Sequence, residues 1–222
     1  MSAVMTARMI LEAGAVRYSA GDPYFLSSGW ASPVYIDVQR LISFPRLRAV
    51  LMDFAARKVL AEAGFEQFDA VAGVESTGIA YAAWIAERLS LPLQYVHRHP
   101  RGFGAEARIA GTLRPGARVL MVDDISTDGR SKIGLADALR ALGARVDHVL
   151  VLFFYDVFAE ARALLAGRAL RLHCLATWQD VIDEAAHSAY LPPAAIEDVR
   201  RFIADPARWS LAHGGIGEFP RQ

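Results

Sequence analysis

The sequence predicts an α/β protein with a mainly parallel sheet flanked by helices and a small N-terminal cap. From Pro45 to Cys174, short apolar runs alternate with longer amphipathic stretches, the pattern of parallel strands joined by helical crossovers. The first 44 residues break that pattern with short strands, aromatics and turns. Three polar segments, 74–78, 97–104 and 123–131, each follow an apolar run. In a parallel sheet such segments meet at the carboxyl edge of the strands, where ligands of these folds bind. The chain therefore divides into a cap, 1–44, and an α/β core, 45–222, that takes in the C-terminal helices.

The elements follow in order. Residues 3–14 read as an amphipathic helix ended by Gly14, with Met5, Met9, Ile10 and Leu11 near helical spacing. Strands are predicted at 15–18, 24–26 and 34–38, separated by turns at Gly21–Asp22–Pro23 and Ser27–Ser28–Gly29. Pro45 opens a helix to about Ala63, at a position where its missing N–H costs nothing. Residues 69–73 form a buried strand, 75–78 a polar loop, 79–89 a helix and 93–96 a strand. Thr112–Leu113 closes the long segment that follows. After the 118–131 stretch come a helix ending at Gly143, a strong strand at 146–154, a helix at 158–165 and an edge strand at 170–174. Helices at 177–186 and 194–204 precede a tail without strong periodicity. His148, inside a strand, reads as a hydrogen-bonded structural residue, and Trp178 as core or interface.

Composition narrows the function. With 54% hydrophobic residues the chain can bury a full core, and 24 basic residues balance 24 acidic ones. No nucleic-acid or membrane partner is expected from that balance. The single cysteine, Cys174, excludes an intrachain disulfide framework and a cysteine metal cluster. No apolar run is long enough to span a bilayer, and no signal-peptide pattern opens the chain. A soluble cytoplasmic protein is expected.

The chemistry concentrates in Arg118–Ser131, RVLMVDDISTDGRS. An apolar strand ends in Asp123–Asp124, and a small polar loop, Ser126–Gly129, leads into a helix. Backbone N–H groups at such a corner, with the positive helix end, hold a phosphate. Two carboxylates do not help to hold a bare phosphate, but they do grip sugar hydroxyls, so the pair points to a phosphoribosyl ligand. A plain strand–turn–helix corner with a helix-capping Asp is the alternative. The segment 97–115 carries Arg98, Arg101, Arg108, Gly102 and Gly104, a long basic loop suited to an anion.

The acidic pair followed by TDGRS resembles the ribose-phosphate signature of the type I phosphoribosyltransferases. FLSSGWASPVYIDVQRLISFP (25–45), GVESTGIAYAA (73–83), YVHRHPRGFG (95–104) and VDDISTDGRSK (122–132) resemble, in that order, the orotate phosphoribosyltransferase family. TWQDVIDEA (177–185) and PARWS (206–210) resemble some of its bacterial members. The resemblance implies the type I phosphoribosyltransferase-like fold with an N-terminal hood. It also implies transfer of the 5-phosphoribosyl group from 5-phosphoribosyl 1-diphosphate (PRPP) to orotate, giving orotidine 5′-phosphate and diphosphate in pyrimidine biosynthesis.

Residue roles follow from the same resemblance. Asp123, Asp124, Arg101 and His97 carry the catalytic work. Glu75, Ser76 and Thr77 lie against the diphosphate, and Ser126, Thr127, Asp128, Gly129, Arg130 and Ser131 form the 5′-phosphate cradle. Ser27 and Tyr35 lie near the orotate ring, and Arg98 and Arg101 belong to a lid over the diphosphate. Mg²⁺ is the implied cofactor, held through diphosphate and water with no direct protein ligand. A homodimer that shares the lid across subunits is the implied assembly.

The chain departs from the family at several points. His97, Arg98, Arg101 and Phe103 stand where Arg, Lys, Lys and His are usual in the lid. Ser27 stands where many members have a Lys that touches orotate, leaving backbone N–H groups or Arg40 to replace it. Arg130, where Gly is common, either adds a phosphate contact or crowds the loop. Transfer to another nucleobase, and a non-catalytic PRPP-binding paralogue or regulator, are the alternative functions.

Overall fold

The computed structural model describes residues 2–97, 99 and 108–219. The chain forms two compact units: residues up to Ser43 together with those from Ala176 onward, and Phe44–Leu175.

The first unit joins the two ends of the chain. Helix α1 (Ser2–Glu12) packs on α6 (Trp178–Ser188), α6 on α7 (Pro193–Ala204), and α7 on α8 (Pro206–Ala212). Two antiparallel pairs complete it: β1 (Val16–Tyr18) with β4 (Val34–Ile36), and β2 (Tyr24–Phe25) with β3 (Ala31–Ser32). A 3₁₀ helix covers Val38–Ser43. Ile10, Trp178, Val181, Ile182 and Phe202 are fully buried, which places Trp178 in a core. The C-terminal helices, assigned from sequence to the α/β core, belong here. The apolar face of α6 is covered by α1, and Arg8 Nε reaches the buried Glu184 Oε1 at 2.7 Å. The tail also forms α8, whose first turn is capped by Asp205 accepting from Arg208 N at 3.0 Å. That cap compensates for a stretch too short to show periodicity.

The second unit is built on a six-stranded sheet of order β10-β9-β8-β5-β6-β7. The strands are β5 (Ala70–Val74), β6 (Leu93–Val96), β7 (Ile109–Ala110), β8 (Arg118–Ser126), β9 (Arg145–Phe154) and β10 (Arg171–Thr177). The β5–β6, β5–β8 and β8–β9 pairs are parallel, and β7 runs antiparallel to β6 at one edge. Val71, Ala72, Leu120, Met121, Leu150 and Val151 are buried, as strands of a covered parallel sheet require. Helices α2 (Pro45–Ala63) and α3 (Thr77–Leu89) pack on each other and on the sheet, as do α4 (Arg130–Ala141) and α5 (Ala159–Ala166) on each other. Among the described residues no helix is long and apolar enough to cross a membrane.

The element boundaries that differ from the sequence reading include three near the carboxyl edge of the sheet. Strand β8 runs on through the acidic pair to Ser126, because β9 continues the ladder with Ile125 opposite Phe153 and Ser126 opposite Phe154. Helix α4 begins at Arg130, so Arg130 and Ser131 lie in its first turn and not in the loop. The long segment returns to the sheet at Ile109–Ala110 and not at Thr112–Leu113, where Thr112 instead gives its carbonyl to Gln94 Nε2 at 2.9 Å.

Candidate active site

Segments 74–78 and 123–131 meet, and His97, the described start of 97–104, joins them. Glu75 follows β5, and its backbone N–H donates to Val96 O at the end of β6 at 2.9 Å. His97 follows β6, and its Nδ1 lies 3.2 Å from Glu75 Oε2, with the Tyr95 ring edge-on beside it. His97 N donates to Arg108 O at 2.8 Å, so the chain leaves and re-enters the sheet at adjacent positions. Arg98 and Arg101, with Phe103, fall outside the described residues. Ser76 stands at the N-cap position of α3 without a side-chain capping bond, and Thr77 is the first residue of the helix.

The acidic pair is set by β8. Asp123 is 1% exposed and Asp124 7% exposed. Asp123 Oδ1 accepts from Asp124 N at 2.9 Å, and Asp124 Oδ1 accepts from Ile125 N at 2.9 Å. Burial, reinforced by the charge of Asp123, pushes the Asp124 carboxyl up to about 7. Gly78, in the first turn of α3, is in backbone contact with this strand: a β-carbon there would lie 2.9 Å from Asp123 Oδ1.

Beyond the pair, the chain turns sharply. Ser126 Oγ is buried without a hydrogen-bond partner among the described residues. Asp128 Oδ1 accepts from Arg130 N at 3.1 Å, and Gly129, at φ 81°, takes the left-handed conformation that starts α4. The Asp of the plain-corner reading thus does bond into the helix start, while the N-cap itself is Gly129. Lys132 and Ile133 donate their N–H groups to Gly129 O at 3.1 and 3.3 Å.

The sequence alone assigns Lys132 no role. Its Nζ lies 2.5 Å from Asp123 Oδ2, and the pair is sealed, with side-chain exposures of 5% and 1%. It looked like an ordinary basic residue of an amphipathic helix. Its place in the first turn was the available signal, because helical side chains lean back toward the N-terminus.

Ser27 and Tyr35 lie in the first unit. Ser27 is exposed in a turn closed by Gly29 N on Leu26 O, and Tyr35 is 40% exposed on β4, with its ring 5.8 Å from that of Tyr24. Arg40, a candidate for the missing Lys role, gives Nε to Ala13 O at 2.6 Å.

The acidic pair thus stands at the carboxyl end of β8, and the chain leads from it through a left-handed glycine into α4. Residues 43–166 match the phosphoribosyl transferase domain family. A relative from Sinorhizobium medicae, an orotate phosphoribosyltransferase, is 47% identical over 215 residues, covering 97% of this chain and 93% of its own. The crystal structure of orotate phosphoribosyltransferase from Aeropyrum pernix matches with a TM-score of 0.70 at 32% identity, covering 82% of this chain and 98% of that one. Leishmania donovani UMP synthase matches with a TM-score of 0.78 at 27% identity, over 91% of this chain and 42% of that one. The chain belongs to the phosphoribosyltransferase family, among its orotate phosphoribosyltransferases.

Proposed function

We propose that the protein transfers the 5-phosphoribosyl group from PRPP to orotate, releasing diphosphate and forming orotidine 5′-phosphate. The observation that carries this reading is the acidic pair at the end of β8, set directly before the turn that opens α4. As the diphosphate leaves, the ribose gains positive charge at the carbon that N1 of orotate attacks. No protein nucleophile is needed. The work is orientation, charge stabilisation and exclusion of water.

The acidic pair accepts from the ribose hydroxyls, and the 127–131 turn holds the 5′-phosphate through backbone N–H groups and the end of α4. The buried Ser126 hydroxyl, unpartnered among the described residues, supplies a further polar group at the strand end. Glu75, Ser76 and Thr77 adjoin the diphosphate, with His97 held beside Glu75. Arg98 and Arg101 close over the leaving group as a lid. Ser27 and Tyr35 contribute to recognition of the base.

Mg²⁺ fits this donor set as an ion carried by the diphosphate. Asp124 and Glu75 are oxygen acceptors suited to its water shell. When bound, the ion neutralises charge on the leaving diphosphate. A homodimer and a cytoplasmic location complete the proposal.

The test is a turnover assay. Purified protein with Mg²⁺, PRPP and orotate should deplete orotate absorbance, while uracil and purine bases give no reaction. PRPP binding without turnover on any base would make the protein a non-catalytic binder.

A further inference from the structure

Lys132 is a buried cation to which the phosphoribosyl transfer assigns no task. A lysine at about 4% exposure is held by a carboxylate in almost every protein that buries one, and here the partner is a member of the acidic pair. The two carboxylates are not equivalent. Asp123 has both oxygens engaged, Oδ1 by Asp124 N with Gly78 packed against it and Oδ2 by the Lys132 ammonium. Asp124 gives one oxygen to Ile125 N and is the more exposed of the two.

The ligand's own charge gives this asymmetry a purpose. The site must grip neutral hydroxyls with carboxylates while it holds a phosphate and a diphosphate close by. Two uncompensated carboxylates in a buried site would repel that polyanion strongly, since charge interactions are poorly screened there.

Resting on the phosphoribosyl reading of the site, we propose that Lys132 is a positioning residue that cancels the charge of Asp123, making it a neutralised support and leaving Asp124 as the carboxylate that accepts from the ribose. Lys132 itself touches no substrate. Its effect passes through Asp123.

Three variants test this: Lys132→Met, Asp123→Asn and the double variant, with PRPP affinity by calorimetry, kcat and KM for each substrate, and thermal unfolding. Lys132→Met should raise Kd and KM for PRPP on the order of tenfold or more, with a smaller change in KM for orotate. The double variant, which removes both charges together, should bind PRPP more tightly than Lys132→Met, because replacing a buried ion pair by neutral groups leaves no orphaned charge.

Wild-type affinity in a less stable Lys132→Met would reduce the lysine to a structural role and overturn the proposal. An equal loss in the single and double variants would mean that Lys132 contacts the ligand directly, which also overturns it. If Lys132→Met does not fold, the double variant is compared with Asp123→Asn: removing the lysine from that background should change Kd for PRPP by less than about threefold, whereas a direct contact with the ligand would weaken binding about tenfold there too and overturn the proposal. Wild-type protein that neither binds PRPP nor consumes orotate would defeat the underlying reading, a failure distinguishable from the others because it needs no variant.

Discussion

Gly78 in α3 meets Asp123 in β8 at backbone distance: a β-carbon on Gly78 would lie 2.9 Å from Asp123 Oδ1 and 2.9 Å from the Val122 carbonyl oxygen. The first turn of α3 is thereby pressed onto the strand that carries the acidic pair. Gly73 repeats the pattern one strand away, where a β-carbon would lie 2.8 Å from Ala82 Cβ and from Ile79 Cα. Close helix–strand approach at both points lets the loop after β5 reach the end of β8.

Gly78→Ala tests how much that approach matters. Part of the obstruction is the Val122 carbonyl, which no rotamer change relieves, so either α3 retreats or Asp123 moves. The expected cost is about 1–3 kcal/mol in urea unfolding, as for an overpacked core. Orotate turnover should fall by about tenfold or more, because a displacement of about 1 Å is costly in a positioning site. An unchanged unfolding midpoint with full activity would show that the contact yields freely.

Asp124 makes stability depend on pH in a particular direction. Its folded pKa, raised to about 7 by burial and the neighbouring Asp123, lies above the unfolded value. Between about pH 4 and 7 the folded state holds a proton that the unfolded chain has released. Asp124 therefore subtracts stability as pH rises through that window, by at most about 1.4 kcal/mol per pH unit. Asp124→Asn removes the titration. Its stability relative to wild type should be greater at pH 7 than at pH 5, by guanidinium unfolding at both. The same variant should lose PRPP affinity and turnover, and retention of both would refute the ribose role of the pair.

Much of this was legible in the sequence because two periodicities and three polar breaks are local signals. The strand–helix alternation from Pro45 to Cys174 gave the parallel sheet, and the DD–TDG motif located the turn between β8 and α4. What escaped depends on pairing between distant residues. The extension of β8 to Ser126 is imposed by Phe153 and Phe154 on β9. The docking of α6 on α1 and of α8 on β3 depends on partners more than 170 residues away, such as Glu184 for Arg8 and Ser210 for Ala31. Lys132 was visible as a letter, but its burial against Asp123 follows only from where α4 starts.

His148 was expected to be a hydrogen-bonded structural histidine, and its partner is a second one. His148 Nδ1 lies 2.9 Å from His173 Nε2, and His173 Nδ1 lies 2.6 Å from Glu62 Oε2. The arrangement fixes the tautomers: His173 donates to Glu62 and accepts from His148. Burial is the main cause that pushes both imidazoles below their ordinary value. Each folded pKa then lies below the unfolded one, so the stability they contribute is complete above about pH 6.5 and declines as pH falls below it. His173→Gln should cost about 1–3 kcal/mol at pH 7.5 and less at pH 5, narrowing the gap to wild type on acidification. A gap that widens toward acid would reverse this assignment.

Ser210 holds the first unit together at the point where its two chain segments meet. The side chain is fully buried, and its Oγ accepts from Ala31 N at 2.9 Å and donates to Ile216 O at 2.6 Å. It thus stitches β3 to the tail, and Ile216 N adds a bond to Gly29 O at 3.1 Å. Ser210→Ala orphans a buried N–H and a partly buried C=O together, at a cost of roughly 2–4 kcal/mol. Ser210→Thr keeps the hydroxyl but adds a methyl group where a β-carbon on Gly215 would already come within 2.4 Å of Ser210 Oγ, so it should rescue poorly. Thermal unfolding of both variants, with limited proteolysis to locate the first cleavage, provides the measurement. The expected outcome is a lower Tm with early cutting in residues 26–33 or after Ala212. Cleavage that starts instead inside Phe44–Leu175, with the ends of the chain still protected, would show that this hydroxyl is not what fastens them.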